Sequence, residues 1–241
     1  MMLNSLPAAL LAALLAVAAL PGCAQTAQPA LATYADRLAP LPAAPKVEID
    51  VTAAPAAKPW AERASRLAAD WFPHICQLLA TDGFRPPKAL KLTFKPKIGA
   101  PAYASGSEIT IDSEWIAAHP DDFGVVIHEM THLIQCYPGS RSTPGWLVEG
   151  IADYIRWWRY EPEAPRTPVD PDRAKVTDSY RTTASFLAWT SGCYHRGLVR
   201  TLDKACRDRS YKPEIFEQAT GKTLETLWTE YTDGLRRARG R

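Results

Sequence analysis

His128-Glu129-Met130-Thr131-His132 places two imidazoles four residues apart, with a carboxylate beside the first. A helix turns once per 3.6 residues, so positions 128 and 132 lie one turn apart on one face and both rings can reach a single metal ion. Glu129 is then placed to act as general base toward a water activated at that ion. Five residues are a short pattern, and the plain alternative is a helix with a salt-bridging Glu and two incidental His. The surroundings argue against it. Phe123, Val125, Val126, Ile127, Leu133 and Ile134 make the helix apolar and hence buried, and burying two His and a Glu without partners is costly. A metal supplies the partner. The chain has only five His, and two of them fall at this spacing.

A catalytic zinc needs a third protein ligand and one open position. A third His shortly after the motif fails, because Gln135 stands where that pattern needs Gly and Pro138 where it needs His. Two carboxylates remain, Glu149 and Asp153, four apart in Trp146-Leu147-Val148-Glu149-Gly150-Ile151-Ala152-Asp153-Tyr154 and so on one helix face. Glu149 is the preferred ligand. Asp153 is then expected to accept a hydrogen bond from the far nitrogen of a ligating His. This is the gluzincin arrangement; the alternative is two surface carboxylates on an amphipathic helix. Tyr180 and His195 are candidates for the donor that stabilises an oxyanion, although each residue type is commonly structural.

These residues need elements to hold them. Val47-Glu48-Ile49-Asp50-Val51 alternates apolar and polar and reads as a strand. Residues 58–80 have helical periodicity with a kink expected at Pro73. Residues 89–94 alternate again, and 101–105 with 108–112, divided by Gly106-Ser107, read as a strand or hairpin. That hairpin offers an edge to which a peptide could add. Asp121 and Asp122 suit a helix start, with the helix running to about Cys136. Pro138, Gly139, Pro144 and Gly145 mark a loop, a helix follows over about 146–158, and 162–171 is a Pro-rich loop. Helices are expected at 180–191, 194–206, 213–219 and 223–237. Strands first and helices after is an α+β order: a small N-terminal sheet with a helix, the active-site helix, then a helical C-terminal half.

Residues 6–20 form an uncharged apolar run of signal-peptide length, and Leu20-Pro21-Gly22-Cys23 follows. The expectation is a leader over 1–22, a lipid anchor at Cys23, an Ala/Pro-rich tether over 23–45 and a folded domain over 46–241. Pro21 and the absence of Lys or Arg in the first five residues depart from the lipoprotein pattern, so an ordinary cleaved leader is the alternative. Both readings send the protein out of the cytoplasm, to the bacterial periplasm or cell surface or into the medium. Cys76, Cys136, Cys193 and Cys206 are compatible with two disulfides in three pairings, or with four buried thiols. The formal charge of +2, from 28 basic and 26 acidic residues, gives no nucleic-acid footprint. Contact with membrane is expected only through Cys23.

Val126 to His132 together with Leu147 to Tyr154 resemble the plant basic secretory protein family and its bacterial relatives. Residues 184–190 and Gly221-Lys222-Thr223 leading to Leu227-Trp228 resemble that family's later helices. The resemblance covers roughly residues 46–235. It implies a zincin-like metallopeptidase fold and secretion, although the leader is lipoprotein-like and the chain is not strongly basic. The resulting expectation is a zinc peptidase: zinc on His128, His132 and Glu149, Glu129 as base, and a peptide or protein substrate. Two rivals stand beside it, a non-catalytic lipoprotein whose metal is closed by a fourth ligand (Asp153 or His195), and a zinc amidase cutting cell-wall peptides. An intact Glu129 favours catalysis, since a purely structural site needs no base there.

Overall fold

The computed structural model describes residues 41–81, 83–138 and 143–240. The expected leader, Cys23, the tether up to residue 40 and Gly139 of the expected loop lie outside the described residues. Four strands form one mixed sheet in the order β1-β2-β4-β3: β1 (Lys46–Asp50), β2 (Ala89–Lys95), β3 (Ala102–Ser105) and β4 (Glu108–Asp112). The pairs β1–β2 and β2–β4 are parallel, and β3 returns antiparallel on β4 through a turn with Gly106 at φ 63°. Glycine tolerates that left-handed backbone without a Cβ clash. β3 is therefore one free edge of the sheet.

Between β1 and β2 the chain forms α1 (Lys58–Leu79), which continues through Pro73. Its buried stripe, Ala61, Ala64, Ala68, Phe72, Ile75 and Leu79, follows the helical period and joins the central core. A short helix α2 (Ser113–Ala118) follows β4 directly. Asp112 caps it, accepting hydrogen bonds from the backbone N–H groups of Glu114 (2.8 Å) and Trp115 (3.3 Å).

Helix α3 (Gly124–Gln135) carries the two-His motif and is buried at every position except His132, which is partly exposed. It starts after Asp121 and Asp122 rather than at them. The Asp122 carboxylate is held by side chains instead, accepting from Trp115 Nε1 (3.0 Å) and from Arg156. Helix α4 (Gly145–Ile155) packs on α3 and ends in a single π turn, Arg156–Tyr160, in which the N–H of Glu161 reaches the Arg156 carbonyl five residues back at 2.8 Å. The C-terminal half is helical: α5 (Arg181–Cys193), α6 (Leu198–Arg207), α7 (Glu214–Thr220) and α8 (Leu224–Arg239). The fold is thus α+β, a small mixed sheet followed by helices. No helix among the described residues is long and apolar enough to cross a membrane.

Cys76, Cys136 and Cys206 are free thiols. The four cysteines therefore do not make two disulfides, and Cys136 is exposed, so they are not four buried thiols either. Helix packing, rather than a pair of bridges among these cysteines, holds α1 and α6 near α3. Arg207 of α6, for example, donates to the Gln135 carbonyl at the end of α3 (3.3 Å) and to Thr81 Oγ1 just past α1 (3.2 Å).

Candidate metal centre

Helices α3 and α4 bring three ligand atoms to one point. His128 Nε2 and His132 Nε2 lie 3.1 Å apart, and Glu149 Oε2 is 3.2 Å from the first and 3.4 Å from the second. Among the described residues this is the group of three that could hold a metal ion. The opposite nitrogen of each ring is committed elsewhere. His128 Nδ1 lies 2.8 Å from Asp153 Oδ1, while Glu149 faces the Nε2 atoms of the imidazole pair.

His132 Nδ1 lies 2.8 Å from Gln135 Oε1, and the Gln135 amide nitrogen donates to the Val148 carbonyl at 3.0 Å. Because the amide N–H group is used on Val148, Gln135 presents its oxygen to His132 and selects the Nδ1–H tautomer. The sequence reading missed this role. The available signal was spacing: Gln135 is three residues after His132 and so on the same helix face.

The consequence is electrostatic. With both Nδ1 atoms donating, two Nε2 lone pairs and a carboxylate oxygen converge. Burial opposes charge on His128, but Asp153 and Glu149 outweigh it and hold the imidazole up at about 9. Burial likewise opposes the Glu149 carboxylate, yet the two imidazoles pull it down to about 2. A divalent cation would take the place of the shared proton and satisfy all three ligand atoms, so the donor set fits a metal ion. Glu129, buried at 8% exposure, is next to these ligands. Its carboxyl is pushed up mainly by burial, the nearby imidazoles working the other way, and it accepts a hydrogen bond from the Ala104 backbone on β3.

The group opens into a cleft of about 930 Å³ lined by β3, α3, α4 and the start of α5. Helix α5 approaches closely because residue 150 is glycine: a Cβ there would sit 2.2 Å from Thr183 Cγ2. That approach sets Tyr180, just ahead of α5, over the site, its ring 6.2 Å from the His128 ring and nearly parallel at 18°. Tyr180 has φ 58° and ψ −129°, which suits glycine at the first central position of a type II′ turn rather than a bulky side chain. The structure thus brings His128, Glu129, His132, Glu149, Asp153 and Tyr180 together. It does not bring His195, which is exposed beyond the other end of α5 and does not line the cleft; the 13 residues of that helix put roughly 20 Å between its ends.

An α+β domain with a His-His-Glu group at the foot of an open cleft belongs among proteins with a candidate mononuclear metal site. The chain belongs to the family described as peptidase of plants and bacteria (BSP), whose model matches residues 61–231. The match supports the resemblance to the basic secretory protein family and spans all of α3, α4 and α5. No curated protein and no solved structure matches the chain.

Proposed function

We propose that the protein is an exported zinc peptidase of zincin-like fold with a gluzincin ligand set, His128, His132 and Glu149. The observation that carries this reading is the ligand triangle with Glu129 at its side. A tetrahedral zinc with bonds of about 2.0–2.2 Å would hold its ligand atoms roughly 3.3–3.6 Å apart, close to the separations of 3.1, 3.2 and 3.4 Å. Zinc there would supply Lewis-acid activation of water and polarisation of the scissile carbonyl.

The remaining work falls to the chain. Glu129 takes the proton of the attacking water and passes it to the leaving amine. Tyr180 offers a hydroxyl at the mouth of the site for the oxyanion. His195 has no part in this scheme, and Asp153 is turned to Nδ1 of His128, so neither closes the site as a fourth ligand. That weighs against the structural-metal alternative.

Substrate binding would use β3. The Pro101 carbonyl accepts from Asp112 N–H (3.0 Å), so odd-numbered residues face β4 and Ala102 and Ala104 face the cleft; the Ala104 N–H is taken by Glu129, and the Ala102 backbone groups with the Ala104 carbonyl point outward. An extended peptide can add there as a further strand. Export through a cleaved leader, with lipidation at Cys23, belongs to the same proposal.

The test is metal analysis of the purified protein with digestion of a peptide library, with and without chelator. We expect about one zinc per chain, chelator-sensitive cleavage, and a Glu129→Gln variant that keeps zinc but loses about 10²–10⁴-fold in rate. Cleavage that survives both chelation and Glu129→Gln would overturn the reading.

A further inference from the structure

Helix α4 carries its chemistry on one stripe: Glu149, Asp153 and, continuing at the same spacing into the π turn, Trp157. At 1.5 Å per residue, Trp157 lies roughly 12 Å along the helix from Glu149. It is 8% exposed and lines the same cleft. Two guanidinium groups stack on its ring, Arg156 at 4.4 Å and Arg181 at 4.2 Å from the centroid.

The two arginines differ in what holds their N–H groups. Arg156 is spent on acids, bonding Asp122 through Nη2 and Glu161 through Nε (3.4 Å). Arg181 is exposed and makes no ion pair among the described residues. Glu161 feels its charge, but the Glu161 carboxylate is bonded to Arg156. The flat face of Arg181 is therefore fixed on an indole while its donor edge stays open to the cleft. A guanidinium held this way is pre-organised for a planar, bidentate acceptor, and a carboxylate has that shape. At the other end of the cleft Glu129, Glu149 and Asp153 would repel such a group.

We infer that Arg181, backed by Trp157, is a specificity-determining residue that selects a substrate carboxylate; this rests on the peptidase reading above. An extended chain covers about 12 Å in three to four residues, and the reach of the arginine shortens that span. The carboxylate thus lies two to four positions from the cleaved bond. It is either an acidic side chain or the peptide's own C-terminus.

The test is binding, read apart from turnover. Zinc-loaded Glu129→Gln protein is titrated with one peptide carrying Glu, Gln or Lys at each of four positions on either side of the scissile bond. Each peptide is made with a free or an amidated C-terminus. We expect a preference of about two- to fivefold for a carboxylate at one position, the range for a well-placed but solvent-accessible pair. Preference for Glu in the amidated peptides identifies a side chain; preference for the free terminus with Gln throughout identifies the C-terminus. Adding Arg181→Gln should bring the ratio within one protein close to 1, and Arg181→Glu should turn it toward Lys. Equal binding of Glu and Gln peptides with either terminus, a preference that survives Arg181→Gln, or no binding of any peptide overturns the inference. Preference without any cleavage by the unsubstituted protein would leave Arg181 as a carboxylate site and remove the peptidase reading. Cleavage without preference would do the reverse.

Discussion

Asp153 sits 2.8 Å from His128 Nδ1 while Glu149, one helical turn earlier, sits 3.2 Å from Nε2 of the same ring, so one stretch of α4 grips both nitrogens of one imidazole. The two carboxylates are close in type and place but differ in job: one is turned to the point where ligands converge, the other fixes the ring. Substitution should separate them. Glu149→Ala is expected to abolish tight zinc binding, whereas Asp153→Asn should weaken it about 10–100-fold. Competition with a chromophoric chelator measures both, and a larger effect at Asp153 would exchange their roles.

The same logic applies to His132. Gln135→Leu removes the acceptor at Nδ1 and leaves the Val148 carbonyl without its side-chain donor. Zinc affinity should fall about tenfold or more, and Gln135→Glu, which keeps an acceptor, should recover most of it. Equal affinities in the three proteins would deny Gln135 a part in the site.

Tyr180 holds a backbone conformation that costs a non-glycine residue about 1–3 kcal/mol. Tyr180→Gly should therefore leave thermal stability unchanged or raise it while lowering kcat. Tyr180→Phe keeps the strain and loses only the hydroxyl, so a fall in kcat without change in melting temperature would mark the hydroxyl as catalytic. Destabilisation by Tyr180→Gly would contradict the strain.

At the contact between α4 and α5, Gly150→Ala puts a methyl group into Thr183, whose Cγ2 and Cβ lie 2.2 and 2.5 Å from the new atom. A loss of about 1–3 kcal/mol is expected from overpacking. Denaturant unfolding checks it, and a neutral result would mean that α5 can move away at no cost.

Thiol labelling checks the cysteine assignment. Burial pushes the Cys76 and Cys206 thiols up to about 12, so at pH 8 almost none of either is thiolate, and both are sealed in the core. Cys136 is exposed. Peptide-level mass spectrometry should find Cys136 alkylated in the native protein, and Cys76 and Cys206 only after unfolding.

Much of this architecture was readable because local rules and tertiary demands agree. The stripe from Ala61 to Leu79 repeats at the helical period, and Gly106 sits where the β3–β4 turn needs a positive φ, so α1 and the hairpin lie close to their expected bounds. The candidate site was readable because α3 carries His128 and His132, and α4 carries Glu149 and Asp153, at four-residue spacing. The rest depends on partners distant in sequence. Alternation marks β1, β2 and β4 as strands but not their parallel order. Asp122 looks like a helix cap until Arg156, thirty-four positions on, takes it as an ion-pair partner. The six residues of α2 are too few for a periodic pattern and are announced only by the Asp112 cap. His195 looked as well qualified as Tyr180, and only the length of α5 separates them.

The π turn at Arg156–Tyr160 has a consequence for length rather than composition. It accommodates one residue more than an α-helix would between Ile155 and Glu161. Deleting one residue there would let the segment wind as a regular α-helix with the downstream chain in nearly the same phase, whereas inserting a further residue would turn that chain by about 100° and swing Glu161 off Arg156. This stretch should therefore tolerate the loss of one residue better than the gain of one.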